Sequence, residues 1–409
     1  MTLSFDLSKA PPFAEGGTLV NLAAAIASRF GKPGSLSQLA SAPLSEAIDR
    51  ARCVVLLLFD GLGRTQINRL LPTGFLCQAR LAQIDSVFPS STAPAVTSLA
   101  TALTPAQHEV TGWHLWWERA HAIVRPLPLD FRSKRGAVNP LELFDWQPIA
   151  QTLGHAMHVL QPASIAHSPF SIHAFGRQGC EAYSSLQQLR RKILEAVRNA
   201  PAHGRYVYAY LPHFDSAAHE FGCASVEAAA VAERFNTLFV QLTDDLRGED
   251  TLLLAGADHG FIDIAPEHLL RLENFPKVAA QLAAPLSGEP RVAFCHPKPA
   301  HSAELVAAAS DQLGHAFDCV ETRALIDAGW FGPPQSAGRR LQQRIGTHAL
   351  IAREDYCLVQ TLAGETPAQF IGMHGGVHED ERLITISATC AGRPLAAAPS
   401  TLRASSHAH

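Results

Sequence analysis

Three strand-length apolar runs, each ending at an aspartate or within a few residues of one, constrain this chain more than any other feature. They are Cys53-Val54-Val55-Leu56-Leu57-Leu58-Phe59 before Asp60, Tyr206-Val207-Tyr208-Ala209-Tyr210-Leu211 before Asp215, and Thr251-Leu252-Leu253-Leu254-Ala255-Gly256-Ala257 before Asp258. Continuous apolarity, without a polar residue at every second position, describes strands covered on both faces, as in a parallel sheet between helices. Between the second and third runs, Val231, Phe235, Leu238, Phe239, Leu242 and Leu246 fall on one stripe at helical spacing, which predicts a crossover helix. Strand, helix, strand in this order predicts an α/β core, a three-layer α/β/α arrangement around a mostly parallel sheet. Ligands of such sheets bind beyond the carboxyl ends of the strands, where Asp60, Asp215, Asp258 and His259 all fall.

The 409 residues exceed the usual size of one domain, so the chain divides into a main core and a smaller companion. Residues 1–50 read as an extension packing on the core, with a helix at Leu19–Arg29 and a turn-rich stretch after it. The core spans 51–264 and 371–390. Residues 265–370, with Pro- and His-bearing turns, a strand-like Arg291–Cys295 and a helix over Ser302–Leu313, read as an inserted α+β cap. Leu383–Ile386 reads as a last strand, and 391–409 as a tail.

Charge excludes one class of partner. A net charge of -4 and the lack of basic runs interleaved with aromatics argue against nucleic acid duplexes. The N-terminal stretch lacks the basic start and apolar run of a secretory signal, and no apolar run approaches the roughly 20 residues of a membrane span. Eight cysteines without C-x-x-C spacing, several in apolar runs, fit buried thiols of a reducing compartment. The expectation is a cytoplasmic protein without a membrane partner.

The polar residues at the strand ends carry the chemistry. Asp60-Gly61 places a carboxylate at the end of a buried strand, although such pairs are often only turns. Asp215 and His219, four apart on a helix, stand on one face and can hold one cation, or can be a helix-start aspartate and an unrelated histidine. Asp258-His259 needs a metal or a hydrogen-bond network to offset desolvation. His374, beside Gly375-Gly376, is by itself no more than a loop histidine. As a set, these residues offer oxygen and nitrogen ligands enough for two zinc-like ions, with manganese served by the same donors. In Phe88-Pro89-Ser90-Ser91-Thr92-Ala93-Pro94, Pro94 suits a first helical turn, so Thr92 falls just before a helix start that favours anions; Ser91 or Thr92 can equally be a plain N-cap.

Together the motifs F-D-G (59–61), F-P-S-S-T-x-P (88–94), D-x-x-x-H (215–219), D-H-G (258–260) and a late H-G (374–375) resemble the alkaline phosphatase superfamily, and within it the type I phosphodiesterase/nucleotide pyrophosphatase branch. The resemblance runs from about residue 53 to 388, omitting the insertion, and implies a phosphoric ester hydrolase acting on a small phosphorylated substrate. It implies one metal held by Asp215, His219 and His374, another held by Asp60, Thr92, Asp258 and His259, and Thr92 as a nucleophile forming a phospho-threonine.

Two departures bear on substrate. Phosphodiesterases of this branch carry an asparagine three residues after the nucleophile, where this chain has Ala95, so another donor, such as one from Thr111-Gly112-Trp113-His114, would have to contact the phosphoryl oxygens. His378 follows His374 by four residues, where related sequences carry a small hydroxyl residue; His374 holds the H-G position and is preferred as ligand. Sulfatases, related enzymes with a Cys or Ser followed by x-P-x-R, do not match Thr92 and the residues after it. Trp113, Trp116 and Trp117 could wall a substrate site or pack in a core. Phosphomonoester or phosphonate hydrolysis, phosphoryl transfer in a mutase, and a metal-stabilised binding protein without turnover are the alternatives on the same residues.

Overall fold

A computed structural model describes residues 5–32, 39–176, 180–367 and 369–395. Its centre is an eight-stranded sheet in which Cys53–Phe59 lies between Arg205–Leu211 and Thr251–Gly256, both parallel to it. Met157–Pro162 and Cys180–Tyr183 continue the parallel part beyond Arg205–Leu211. On the other side Leu383–Cys390 runs antiparallel to Thr251–Gly256 and pairs with Arg80–Asp85 and Arg393–Pro394. The last strand is thus longer than its apolar pattern, because Ser387 and Thr389 are buried in it as well as Ile386 and Ala388.

The unbroken apolar runs follow from this placement. Val54, Leu56 and Leu58 face one core, shared with the helices Leu19–Arg29 and Thr92–Thr101. Cys53, Val55, Leu57 and Phe59 face the other, shared with Val226–Asp245 and Leu186–Arg198. Both sets are removed from water, and each buried Leu or Val side chain contributes roughly 1.5–3 kcal/mol. The architecture is the three-layer α/β/α sandwich expected.

The helix Leu19–Arg29 has the expected bounds and a Thr18–Asn21 capping box. A second helix, Ala42–Arg50, occupies part of the stretch read as turns; it buries only Leu44 and Ile48, a weak periodic signal. The crossover helix starts five residues before its first large apolar anchor, with Ser225 capping it. Residues 265–370 contain a separate four-stranded sheet of Ser287–Glu289, Val292–Cys295, Phe317–Glu321 and His348–Ala352, backed by Ser302–Leu313. Of the expected tail, Arg393–Pro394 forms a short edge strand and 396–409 lie outside the described residues. No helix among the described residues is long and apolar enough to cross a membrane.

Candidate active site

Because three adjacent parallel strands end at one edge of the sheet, the residues following them converge. Asp60 follows the middle strand, Asp258 and His259 follow one neighbour, and the helix His213–Phe221 follows the other. Gly61 makes the turn possible: its φ is +76°, and a side chain there would meet the Phe261 ring at 2.4 Å. The structure brings the six expected carboxylate and imidazole ligands into two groups, Asp60 with Asp258 and His259, and Asp215 with His219 and His374. His374 joins the second group from a loop and is buried, whereas His378 caps the short helix Glu379–Arg382 and lies in neither group.

Thr92 lies against the first group. It is the first residue of the helix Thr92–Thr101, one position inside the expected start, with Ser91 as the N-cap. Its Oγ1 is 3.0 Å from His259 Nε2 and donates over 3.4 Å to Asp60 Oδ1. His259 Nε2 is 3.2 Å from Asp60 Oδ1 and 3.6 Å from Asp258 Oδ2. In the second group, Asp215 Oδ1 is 3.4 Å from His219 Nε2 and 3.6 Å from His374 Nε2.

The donor set fits metal ions on two observations. Each imidazole has Nδ1 beside a backbone carbonyl, His259 on Gly260, His219 on Gly372 and His374 on Ser90, so Nδ1–H donates there and the Nε2 lone pair faces the carboxylates. This carbonyl–imidazole arrangement orients histidine ligands. Asp215 Oδ1 and Asp258 Oδ2 are buried without a hydrogen-bond donor among the described residues, and these are the atoms that face the imidazoles. Burial, and then the neighbouring acids Asp215 and Asp60 respectively, raises Asp60 and Asp258 above the ordinary carboxylate range. Burial disfavours the His259 imidazolium, but the charges of Asp258 and Asp60 outweigh it and raise the group. Such a cluster of buried carboxylates and imidazoles is chemically suited to a cation.

Two residues that the sequence did not mark complete the site. Tyr210, in the strand beside Asp60, donates its hydroxyl to Asp60 Oδ2. Its pattern signal was only that of a core aromatic. Glu289, from the 265–370 segment, accepts from Ser91 Oγ and from the Trp113 N–H at 2.7 Å. Burial pushes its carboxyl up to about 7, against the lowering effect of those two donors.

Two cavities meet at Thr92. One, of about 620 Å³, is lined by Thr92, the second metal group, Glu289, His114, Arg125 and Arg132. The other, of about 460 Å³, has a mainly apolar wall that includes Val96, Leu127, Phe170, Phe175 and Tyr208. Trp113 is half-exposed and borders both, so it alone of the three tryptophans forms a wall. Trp116 packs with Ile123 and Ala284, and Trp117 stacks on Phe131, because they sit in a hairpin strand whose sides face protein. In the stretch expected to supply the donor that Ala95 cannot, Trp113 N–H is occupied by Glu289 and Thr111 Oγ1 is buried off the cavity wall, which leaves the His114 side chain at the cavity.

A family model described as type I phosphodiesterase/nucleotide pyrophosphatase matches residues 54–377. No curated protein matches by sequence. Among solved structures, murine ectonucleotide pyrophosphatase/phosphodiesterase 5, in an inactive threonine-to-alanine form in complex with AMP, is similar with a TM-score of 0.62 and 16% identity over 82% of this chain and 87% of that one. Its human counterpart is similar with a TM-score of 0.59 and 17% identity over 82% and 87%. Phosphonoacetate hydrolase from Sinorhizobium meliloti in complex with phosphonoformate gives 0.59 and 15% over 86% and 93%. At these identities the structural likeness concerns the fold.

Proposed function

The chain belongs to the type I phosphodiesterase/nucleotide pyrophosphatase family of the alkaline phosphatase superfamily, and on that premise we propose that it is a two-metal hydrolase of small phosphodiesters or phosphoanhydrides with Thr92 as nucleophile. The observation that carries the reading is the place of the Thr92 hydroxyl, in contact with Asp60 and His259 and on the wall shared with Asp215, His219 and His374.

Asp60, Thr92, Asp258 and His259 would hold one ion, and Asp215, His219 and His374 the other; zinc or manganese bound there supplies Lewis-acid stabilisation of the phosphoryl charge and lowers the pKa of the Thr92 hydroxyl. Asp60 Oδ1 receives the hydrogen bond of Thr92 and keeps Oγ1 directed at the site, while Tyr210 holds the other oxygen of Asp60. In-line attack by Oγ1 on phosphorus forms the phospho-threonine and breaks the bond to one substituent, the Oγ1 proton leaving along its hydrogen bond to Asp60 Oδ1 and ending on the departing oxygen. Water then attacks phosphorus and breaks the P–Oγ1 bond, one of its protons restoring the Thr92 hydroxyl and the other passing to solvent. In the first turn of Thr92–Thr101 Pro94 lacks an N–H and Ala95 N–H is bonded to the Ser91 carbonyl, so those of Thr92 and Ala93 would serve the phosphoryl oxygens.

Two cavities at Thr92 favour a phosphorus centre with two substituents over a monoester. The murine neighbour's complex with AMP and its inactive threonine-to-alanine form are consistent with this chemistry. Phosphonate hydrolysis is the second reading, favoured by the likeness to phosphonoacetate hydrolase. The 265–370 segment serves in this proposal as a fixed cap that supplies one cavity wall, and the cytoplasm as its compartment. Hydrolysis of bis-p-nitrophenyl phosphate against p-nitrophenyl phosphate, with chelator and then with zinc or manganese restored, tests the assignment. Metal-dependent preference for the diester is expected; preference for the monoester would overturn it.

A further inference from the structure

Glu289 ends the strand Ser287–Glu289 and is held from three sides. Its Oε1 accepts from Ser91 Oγ and from Trp113 N–H. Its stem rests on the backbone of Gly375, where a Cβ would lie 2.8 Å from that of Glu289 and where φ is +104°. This is not a swinging surface acid. The other oxygen, Oε2, meets no protein donor among the described residues and is not sealed from the cavity that Glu289 shares with Thr92, Asp215, His219 and His374.

The charge of Glu289 is also uncompensated by any arginine of that cavity. Arg125 is bonded through two nitrogens to Asp130, and Arg132 through two to Glu365. Each pair is neutral as a unit. A buried carboxyl with one satisfied oxygen and one open oxygen, on a wall whose arginines are already paired, is stabilised in its ionised form by a positively charged donor that reaches the open oxygen.

We propose that Glu289 is a specificity-determining residue that selects substrates carrying a protonated amine on a phosphorus-bound group and rejects those carrying a carboxylate or second phosphate there. The inference rests on Thr92 and its neighbours being the phosphoryl site, and deepens that reading to a substrate class. An ammonium reaching Oε2 forms a charge-assisted hydrogen bond with the ionised carboxyl, whereas an anion at the same point gains no such contact and disfavours that ionisation. The fixed geometry makes the discrimination larger than a flexible surface carboxylate could provide.

Calorimetric titration of the zinc-restored protein with 2-aminoethylphosphonate, ethylphosphonate and phosphonoacetate reads binding rather than turnover. The three share the phosphonate and differ in the charge of the substituent. Wild type should bind the amine about tenfold tighter than ethylphosphonate, and phosphonoacetate weakest, the size of one charge-assisted contact. Glu289→Gln keeps an oxygen for Ser91 and Trp113 and should bring the three within about threefold of each other. If ethylphosphonate binds but wild type shows no such order, or the Gln variant preserves it, the selection by Glu289 is overturned while the phosphoryl site stands. If none of the three binds, the phosphoryl site itself is overturned and the selection with it. The wild-type order decides the matter even if the variant does not fold.

Discussion

The imidazoles of His259 and His374 lie stacked, with centroids 3.8 Å apart and planes inclined by 21°. One belongs to the group around Asp60 and the other to the group around Asp215, so this contact joins the two candidate metal positions. Both rings are buried and both have Nδ1 on a backbone carbonyl. The relationship allows the groups to be perturbed separately or together.

Thr92→Ala deletes Oγ1 and leaves the carboxylates and imidazoles in place. Turnover of a diester should fall by about 10³-fold or more, as expected for loss of a nucleophile, with bound metal largely retained. Steady-state kinetics beside elemental analysis checks both halves; unchanged turnover would remove Thr92 from the mechanism.

Tyr210→Phe removes the hydroxyl that holds Asp60 Oδ2 while keeping the ring in its core. Loss of a hydrogen bond behind a ligand should weaken metal affinity by about 10- to 100-fold. Competition with a chromophoric chelator measures this, and an affinity equal to wild type would show that Asp60 needs no such support.

Arg291 and Glu381 form an ion pair at 2.7 Å with side chains 1% and 0% exposed. Glu381 also accepts from Gly376 N–H, and Arg291 donates to the carbonyls of Glu354 and Tyr356, so the pair ties the 265–370 segment to the loop bearing His374. Arg291→Ala strands a buried carboxylate and should destabilise the fold by about 3–5 kcal/mol. Urea unfolding would show it as a lower midpoint; a shift worth less than about 1 kcal/mol would mean that water satisfies Glu381.

His108 is buried, with Val110 N–H donating to its Nδ1 and Ser98 Oγ at its Nε2. Burial first, and then the Arg344 charge, lowers its pKa from 6.5 to about 3. The unfolded chain therefore takes up a proton near pH 6.5 that the folded one refuses. This contribution to stability is complete above 6.5 and declines as pH falls toward about 3, by about 2 kcal/mol between pH 7 and 5. His108→Gln should flatten that part of the stability–pH curve measured by denaturant unfolding; an identical slope would contradict the neutral histidine.

What the sequence determined by itself was everything that a local pattern can carry. Continuous apolar runs marked residues 53–59, 206–211 and 251–257 as strands buried on both faces, within a residue of the observed bounds, and the four-residue spacing allowed Asp215 and His219 one helical face. Polar residues just beyond strand ends were legible as a set because parallel strands expose their carboxyl ends at one edge.

Only the tertiary structure decided which strands are neighbours, and hence that Asp60 stands between the other two sets of side chains. It also brought Tyr210 to Asp60 and Glu289 to Ser91, partners separated by 150 and 198 residues. Before folding, Tyr210 is one aromatic residue in an apolar strand and Glu289 one acid near a turn. Side-chain periodicity reports which face a residue takes, not what that face meets; long-range packing supplies the partner, and with it the burial that turns an ordinary carboxylate or phenol into part of a site.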